Sequence, residues 1–99
     1  MFDKMKQLMD MQRKMQEVKR ELENTNFDIV SSDGLVKITM NGAQEVKEVS
    51  IQADLKSIDK AVIEKSVKDA YNRAIKRSHD LAGEKMKSVA GGLNLPGLT

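Results

Sequence analysis

Residues 34–51 have the sequence GLVKITMNGAQEVKEVSI, in which apolar residues recur at every second position up to Asn41 and Gly42. Asn-Gly is the strongest short signal for a β-hairpin. A type I′ turn needs positive φ at both central residues, and Asn and Gly tolerate that conformation best. The sequence therefore predicts that two antiparallel strands meet at this turn.

The register of the predicted hairpin follows from counting outward from its turn. With a two-residue Asn-Gly loop, Met40 lies opposite Ala43, and Val36 lies opposite Lys47. Directly opposed residues of an antiparallel pair share one face of the sheet. Counting on by twos then adds Val49 to the face that holds Val36 and Met40.

A second two-residue turn signal, Asp-Gly, stands at residues 33–34. Counting from this turn places Ile29 opposite Ile38 and Phe27 opposite Met40, on the same apolar face. The two turns therefore agree, and together they predict a three-stranded antiparallel meander.

One face of this meander is apolar and is expected to be buried, whereas the other face is polar and is expected to be exposed to solvent. Three further apolar residues fall on the polar face, and a β-bulge, an edge partner or a second subunit would each account for them. The apolar face comprises Phe27, Ile29, Val36, Ile38, Met40, Val49 and Ile51, and the three exceptions are Val30, Leu35 and Val46.

The composition predicts a small single domain that has little material for a core. The chain has 99 residues, of which 39% are hydrophobic and 32% charged, but it contains only two Phe, one Tyr and no Trp. Small domains bury proportionally less surface than large ones, so we expect the chain to form a homo-oligomer. The absence of Cys, of a signal pattern and of a long apolar run predicts a cytoplasmic protein without a membrane partner.

The charge distribution is more informative than the net charge of +2. Residues 25–58 contain three Lys against five acidic residues, whereas residues 59–90 contain eight Lys and Arg against five acidic residues. The basic charge is therefore concentrated in the second helical part of the chain.

Residues 1–23 are predicted to form a helix with a seam like that of a coiled coil. The seam residues recur with alternating spacings of three and four. Bases with acids three or four positions away line the opposite side, either as a solvated face or as a row that contacts phosphates. The Met-rich surface also fits an apolar protein partner. The seam consists of Leu8, Met11, Met15, Val18 and Leu22, and the bases behind it are Lys6, Arg13 and Arg20.

Asp59 is predicted to be the N-cap of a second helix, which continues without proline to about residue 90. A helix of roughly 30 residues is about 45 Å long, so part of it must extend beyond a small sheet or pack on another chain. Its inner stripe runs through Ile63, Val67, Ala70, Tyr71, Ala74, Ser78, Leu81 and Ala82. Its outer face carries Lys65, Asn72, Lys76, His79 and Lys87, flanked by Arg73 and Arg77.

That outer face is either a phosphate-contacting surface or an ordinary solvated face. The glycine pair at residues 91–92 predicts the end of the helix, and Pro96 prevents its resumption. Residues 1–90 are therefore expected to form one domain and residues 91–99 a flexible tail rich in Gly and Leu.

Catalytic chemistry finds few candidates in this sequence. His79 is the only histidine, and no Cys accompanies it to form an ordinary metal site. The glycines do not form a phosphate-binding loop, since Gly34 and Gly42 stand in hairpin turns and the pair at residues 91–92 ends a helix instead of opening one. We therefore expect a protein that is not an enzyme and that uses no cofactor, metal or small-molecule substrate.

The order of helix, meander and long helix, the hairpin sequences GLVKITMNG and EVKEVSI, and the final GGLNLPG resemble the YbaB/EbfC family of bacterial nucleoid-associated proteins. This family often has glycine where Gln44 stands and proline near Ala53. The resemblance implies an α+β fold of order α-β-β-β-α. It also implies a homodimer whose paired helical arms, like tweezers, bind double-stranded DNA in the nucleoid with modest sequence preference and alter its conformation.

The sequence thus favours a DNA-binding protein that uses basic residues of the two helices. The alternative is a protein-interaction module that uses the Met-rich first helix and the Leu-rich tail. The candidate DNA-binding residues are Lys65, Arg73, Lys76, Arg77, Lys87, Arg13 and Arg20.

Overall fold

A computed structural model describes residues 2–93, with side chains described for residues 3–89. The element order is the predicted one, so the α+β fold class and the α-β-β-β-α order are confirmed. The three strands form one antiparallel sheet in the order β1-β2-β3. The elements are α1 (Phe2–Glu23), β1 (Asn26–Val30), β2 (Val36–Asn41), β3 (Val46–Ile51) and α2 (Lys60–Leu93).

The pairing of β1 with β2 is the predicted one. Phe27 lies opposite Met40 and Ile29 lies opposite Ile38. The predicted two-residue Asp-Gly loop is wrong, however. The turn is closed by a hydrogen bond of 2.9 Å from the Gly34 amide to the Ser31 carbonyl, so Ser32 and Asp33 are its central residues. Gly34 has φ of +76°, a conformation that glycine adopts at no steric cost.

The predicted register of β2 with β3 is wrong by four residues, because Val36 lies opposite Ile51 rather than Lys47. Asn41 is the last residue of β2 instead of a loop residue. Its side-chain oxygen accepts the backbone N–H groups of Ala43 at 3.0 Å and Glu45 at 2.9 Å. These bonds support a longer loop. Because the shift is even, every β3 residue between the bulge and Ile51 keeps its predicted face.

A β-bulge at the start of β3 explains one of the apolar residues that the sequence places on the polar face. Thr39 lies opposite Glu48, but the next residue, Met40, lies opposite Val46. The extra residue turns Val46 towards the core side of the sheet. Of the explanations that the sequence leaves open for Val46, the bulge is the one observed.

The core lies between α2 and the first two strands. Val36, Ile38 and Met40 of β2 are buried against Ala70 and Ala74 of α2. Phe27, Ile29, Leu35 and Ile75 pack around them and are partly buried. Small residues on α2 let the helix approach the sheet closely.

The apolar face of β3 is left largely exposed. Val49 is 52% exposed and Ile51 is 40% exposed, although both lie opposite buried residues of β2. Strands of a sheet lie about 4.8 Å apart and a helix is about 10 Å wide, so one helix covers about two strands. The predicted face is therefore formed but only partly covered by this chain.

The two helices pack against each other in antiparallel fashion near the sheet. Val18 and Leu22 of α1 are buried, and Glu21 forms an ion pair of 3.1 Å with Lys85 of α2. The amide of Gly42 donates to the Leu22 carbonyl at 2.8 Å, which fixes the end of α1 on the β2–β3 loop.

The N-terminal part of α1 has little cover within the described chain. Met5, Leu8 and Met9 are between 61% and 67% exposed. The chain extends over 67 Å along its longest axis but only 22 Å and 15 Å along the others. Helical arms therefore project from the small sheet, as the length of the second helix predicts.

α2 is longer than the sequence predicts. The glycine pair predicts an end at residue 90, whereas α2 continues through both glycines to Leu93. Glycine costs a helix only about 1 kcal/mol and, unlike proline, keeps its hydrogen-bond donor. The rest of the predicted tail, residues 94–99, lies outside the described residues.

Candidate nucleic-acid interface

The outer face of α2 points away from the sheet and carries the basic residues that the helical spacing groups together. Lys65, Lys76 and Lys87 are exposed, as are Asn72 and His79 between them. The buried residues of α2, such as Ala70 and Ala74, lie on the other side of the helix. The sheet therefore orients this face outward, since the opposite stripe is held in the core.

Lys68 belongs to the same outer face, although it is absent from the sequence-based candidates. It is exposed, and it lies three residues after Lys65 and four residues before Asn72. Residues with these spacings are neighbours on a helix surface. The helical spacing alone therefore contains the signal that identifies Lys68.

Ion pairing separates the candidate residues into two groups. Within the described part of the chain, no carboxylate lies within the 4.0 Å salt-bridge limit of Lys65, Lys76 or Lys87. Exposed cations without a carboxylate partner are available to an external anion. These three residues are the strongest candidates for phosphate contact.

Arg73 is engaged in a network that joins α2 to the β1–β2 turn. Its Nε lies 3.2 Å from a carboxylate oxygen of Asp69, and its Nη2 donates to the Ser32 hydroxyl at 2.9 Å. Asp69 also accepts the backbone N–H and the hydroxyl of Ser32, both at 2.8 Å. Arg73 therefore positions the turn and is less available to a ligand than the three lysines.

The hydrogen bonds from Ser32 lower the pKa of Asp69. The largest cause is the backbone N–H of Ser32, followed by the Ser32 hydroxyl; the smaller contribution of Arg73 acts in the same direction. Each donor stabilises the charged carboxylate relative to the neutral acid. Asp69 is thus held as an anion beside the outer face, with its oxygens occupied by the turn.

Asp33 forms a second link between the same turn and α2. Its carboxylate accepts the Ser31 hydroxyl at 2.6 Å and the hydroxyl of Ser66 on α2. The backbone N–H of Leu35 donates to it at 3.1 Å. The Ser31 hydroxyl, then that of Ser66, lowers the pKa of Asp33. Two carboxylates therefore fix the orientation of α2 on the sheet.

The remaining candidate arginines have acidic neighbours. Arg77 lies 3.9 Å from Glu84, and Arg13 on α1 pairs with Asp10 at 3.2 Å. Arg20 lines the open cleft between the helices together with Glu17. The structure thus brings Lys65, Lys76 and Lys87 onto one face and leaves Arg13 and Arg20 on a different helix.

The described residues meet neither the requirements of a metal site nor those of a membrane-spanning helix. Between residues 2 and 93, no group of three or more His, Cys, Asp or Glu side chains is arranged to hold a metal ion. Over the same residues, neither helix has an apolar stretch long enough to span a membrane.

Two comparisons with known proteins bear on the family and the fold of this chain. A sequence model of the YbaB/EbfC DNA-binding family matches residues 1–93. The chain also resembles the crystal structure of uncharacterized protein HP0035 from Helicobacter pylori, with a TM-score of 0.68 and 21% sequence identity. That match covers 96% of this chain and 98% of the other, and at this identity it shows a shared fold.

Proposed function

Because the chain belongs to the YbaB/EbfC DNA-binding family, we propose that it binds double-stranded DNA as a homodimer, without catalysis and with low sequence specificity. Its contacts are made to phosphates by the outer face of α2, and binding alters the conformation of the DNA. The place of action is the nucleoid of a bacterial cytoplasm. The observation that carries this proposal is the row of exposed lysines without carboxylate partners among the described residues.

Low specificity follows from the side chains that this face offers. Lysine is a compact point charge on a flexible stem, and it contacts phosphates, which carry no sequence information. Bidentate readout of adenine requires Asn or Gln, and the outer face offers only Asn72 between its lysines. The affinity should therefore come from electrostatics and decrease steeply with salt.

Dimerisation is supported by the uncovered apolar side of the sheet. Val46, Val49 and Ile51 are between 40% and 52% exposed on β3, next to the buried core of β2. On α2, Val67 is 36% exposed and Tyr71 is 44% exposed. Apolar surface of this kind marks a protein interface, and a second copy is the partner that the family resemblance implies.

The decisive experiment removes the three lysines and measures DNA binding. In the variant Lys65→Gln, Lys76→Gln, Lys87→Gln, we expect weaker binding to a duplex and a shallower salt dependence. Each lost phosphate contact should reduce the slope of log K against log salt by about 0.9. The matched control is Lys19→Gln, Lys47→Gln, Lys56→Gln, which changes the net charge equally at exposed positions outside α2. Equal binding by the two variants would refute the assignment to α2.

The second candidate function is a protein-interaction module. It is favoured by the exposure of Met5, Leu8 and Met9 along α1. Replacing these three residues with Gln should abolish partner capture in this case and leave duplex binding unchanged. Removal of residues 94–99 tests the contribution of the Leu-rich tail in the same assay.

A further inference from the structure

The lysines of the outer face recur at a fixed interval along α2. Lys65, Lys76 and Lys87 are eleven residues apart. Eleven residues at 100° each complete three turns with about 20° to spare, so the three side chains stay on one side of the helix. Lys68 and His79 are also eleven residues apart and repeat the interval beside this row.

The interval corresponds to a fixed distance, because α2 is continuous from Lys60 to Leu93. At a rise of 1.5 Å per residue, eleven residues span about 16 Å, and the row from Lys65 to Lys87 spans about 33 Å. All three side chains are exposed, and none has a carboxylate partner among the described residues.

These distances match the spacing of phosphate backbones along a B-form duplex. One helical turn of B-DNA is about 34 Å long. A line drawn along the surface parallel to the duplex axis crosses two backbones per turn, so successive crossings are about 17 Å apart on average. The grooves differ in width, but the flexible stem of lysine accommodates a deviation of a few ångströms.

We propose, on the basis of the DNA-binding function proposed above, that α2 lies along the duplex axis and contacts three successive backbone crossings. Lys65 and Lys87 contact one strand a full turn apart, and Lys76 contacts the opposite strand between them. Lys68 and His79 face the same two strands from the side. The ligand of each α2 helix is therefore an uninterrupted B-form duplex of at least one turn.

The alternative is that α2 inserts across the major groove, and the length of the lysine row disfavours this orientation. The groove is about 12 Å wide, whereas the row is about 33 Å long. In that orientation only the lysines nearest the groove would reach phosphates. The even distribution of the charge along α2 thus favours the axial orientation.

The first test varies the length of the duplex. Hairpin stems of about 6, 9, 12 and 16 base pairs span roughly 20 to 54 Å at 3.4 Å per base pair. We expect the salt slope contributed by each α2 helix to increase with stem length up to about one turn of the duplex and then to stay constant. Lys87→Gln should reduce the slope by about 0.9 on the stem of about 12 base pairs and leave it unchanged on that of about 6.

The second test moves one charge without changing the total. Position 83 is on the outer face, and a Cβ atom added there meets no atom within 4 Å apart from the adjoining backbone of its own helix. Lys76→Gln should reduce the slope by about 0.9. The double variant Lys76→Gln, Gly83→Lys should keep this reduced slope, because the lysine at position 83 lies over a groove instead of at a backbone crossing. Gly83→Lys alone is the control for folding and for the added charge.

The outcomes separate this inference from the function on which it rests. Recovery of the wild-type slope by the charge-matched double variant, or a slope that grows steadily with stem length, would overturn the axial arrangement while leaving duplex binding intact. Absence of duplex binding at low salt would overturn both. Equal binding of single-stranded DNA of the same length would also contradict the requirement for a B-form duplex.

Discussion

The guanidinium of Arg73 donates a hydrogen bond of 2.9 Å to the hydroxyl of Ser32, which joins the middle of α2 to the β1–β2 turn. The two residues lie far apart in the sequence, so this contact exists only in the folded chain. Arg73 is one of the bases that the sequence groups with the outer face of α2. The contact gives Arg73 a structural role, and this role distinguishes it from the lysines of the same face.

Replacement of Arg73 with Gln should therefore affect folding more than binding. We expect a decrease of about 3 °C in the unfolding midpoint, as is typical for loss of an exposed ion pair in a small domain. The salt slope of DNA binding should stay at its wild-type value. Lys76→Gln is the matched variant, with an unchanged midpoint and a slope lowered by about 0.9. If Arg73→Gln lowers the slope as Lys76→Gln does, Arg73 contacts DNA directly.

The carboxylates of Asp33 and Asp69 should make the stability of the fold dependent on pH in acid. Hydrogen bonds lower the pKa of both groups below the ordinary value of 3.8, so both stay charged in the folded chain at pH values where the unfolded chain binds protons. Their contribution is complete above that value and is lost as the pH falls through the lowered pKa. In urea unfolding between about pH 6 and pH 3, the variant Asp33→Asn, Asp69→Asn should lose less stability than the wild type. A parallel decrease in both proteins would contradict this assignment.

Gln44 provides a test of backbone strain in the β2–β3 loop. It has φ of +66°, in the left-handed region that residues with a side chain adopt at a cost of about 1 kcal/mol or more. Glycine avoids this cost but loses more entropy on folding, so Gln44→Gly should stabilise the protein by about 0.5 kcal/mol. Gly34→Ala should have the opposite effect, since Gly34 has φ of +76°. Urea denaturation of both variants measures the difference, and a destabilising Gln44→Gly would contradict it.

The sequence predicts those parts of the fold that depend on local pattern. Phe27 and Ile29 lie in their predicted register because the reversal before Gly34 and the alternation of apolar residues favour the same pairing. The second turn differs because Asn41 takes part in contacts from outside the hairpin. Its side-chain nitrogen donates to the carbonyl of Glu23 at the end of α1, at 3.1 Å. Turn propensity is a local preference, and this tertiary contact overrides it.

The candidate interface also has features that follow from local pattern and features that depend on tertiary contacts. The exposure of Lys65, Lys76 and Lys87 follows from helical periodicity, and the structure agrees with it. The engagement of Arg73 does not follow, because its partner Ser32 belongs to a distant turn. Charge and spacing in a sequence thus identify a basic face, but the contacts of the folded chain decide which of its cations are available to a ligand.

Val49 tests whether a second copy covers the exposed side of β3. It is 52% exposed on the apolar face, so a charged residue there is tolerated by the isolated chain but not within an apolar interface. Val49→Glu should therefore yield a folded monomer by light scattering, whereas we expect the wild type to have the mass of two chains. Glu48→Gln, on the opposite face, is the control and should stay dimeric. Because a monomer carries one α2 helix instead of two, its duplex affinity should decrease at least tenfold with Lys65, Lys76 and Lys87 intact. A Val49→Glu protein that keeps the mass of two chains would place the interface elsewhere on the molecule.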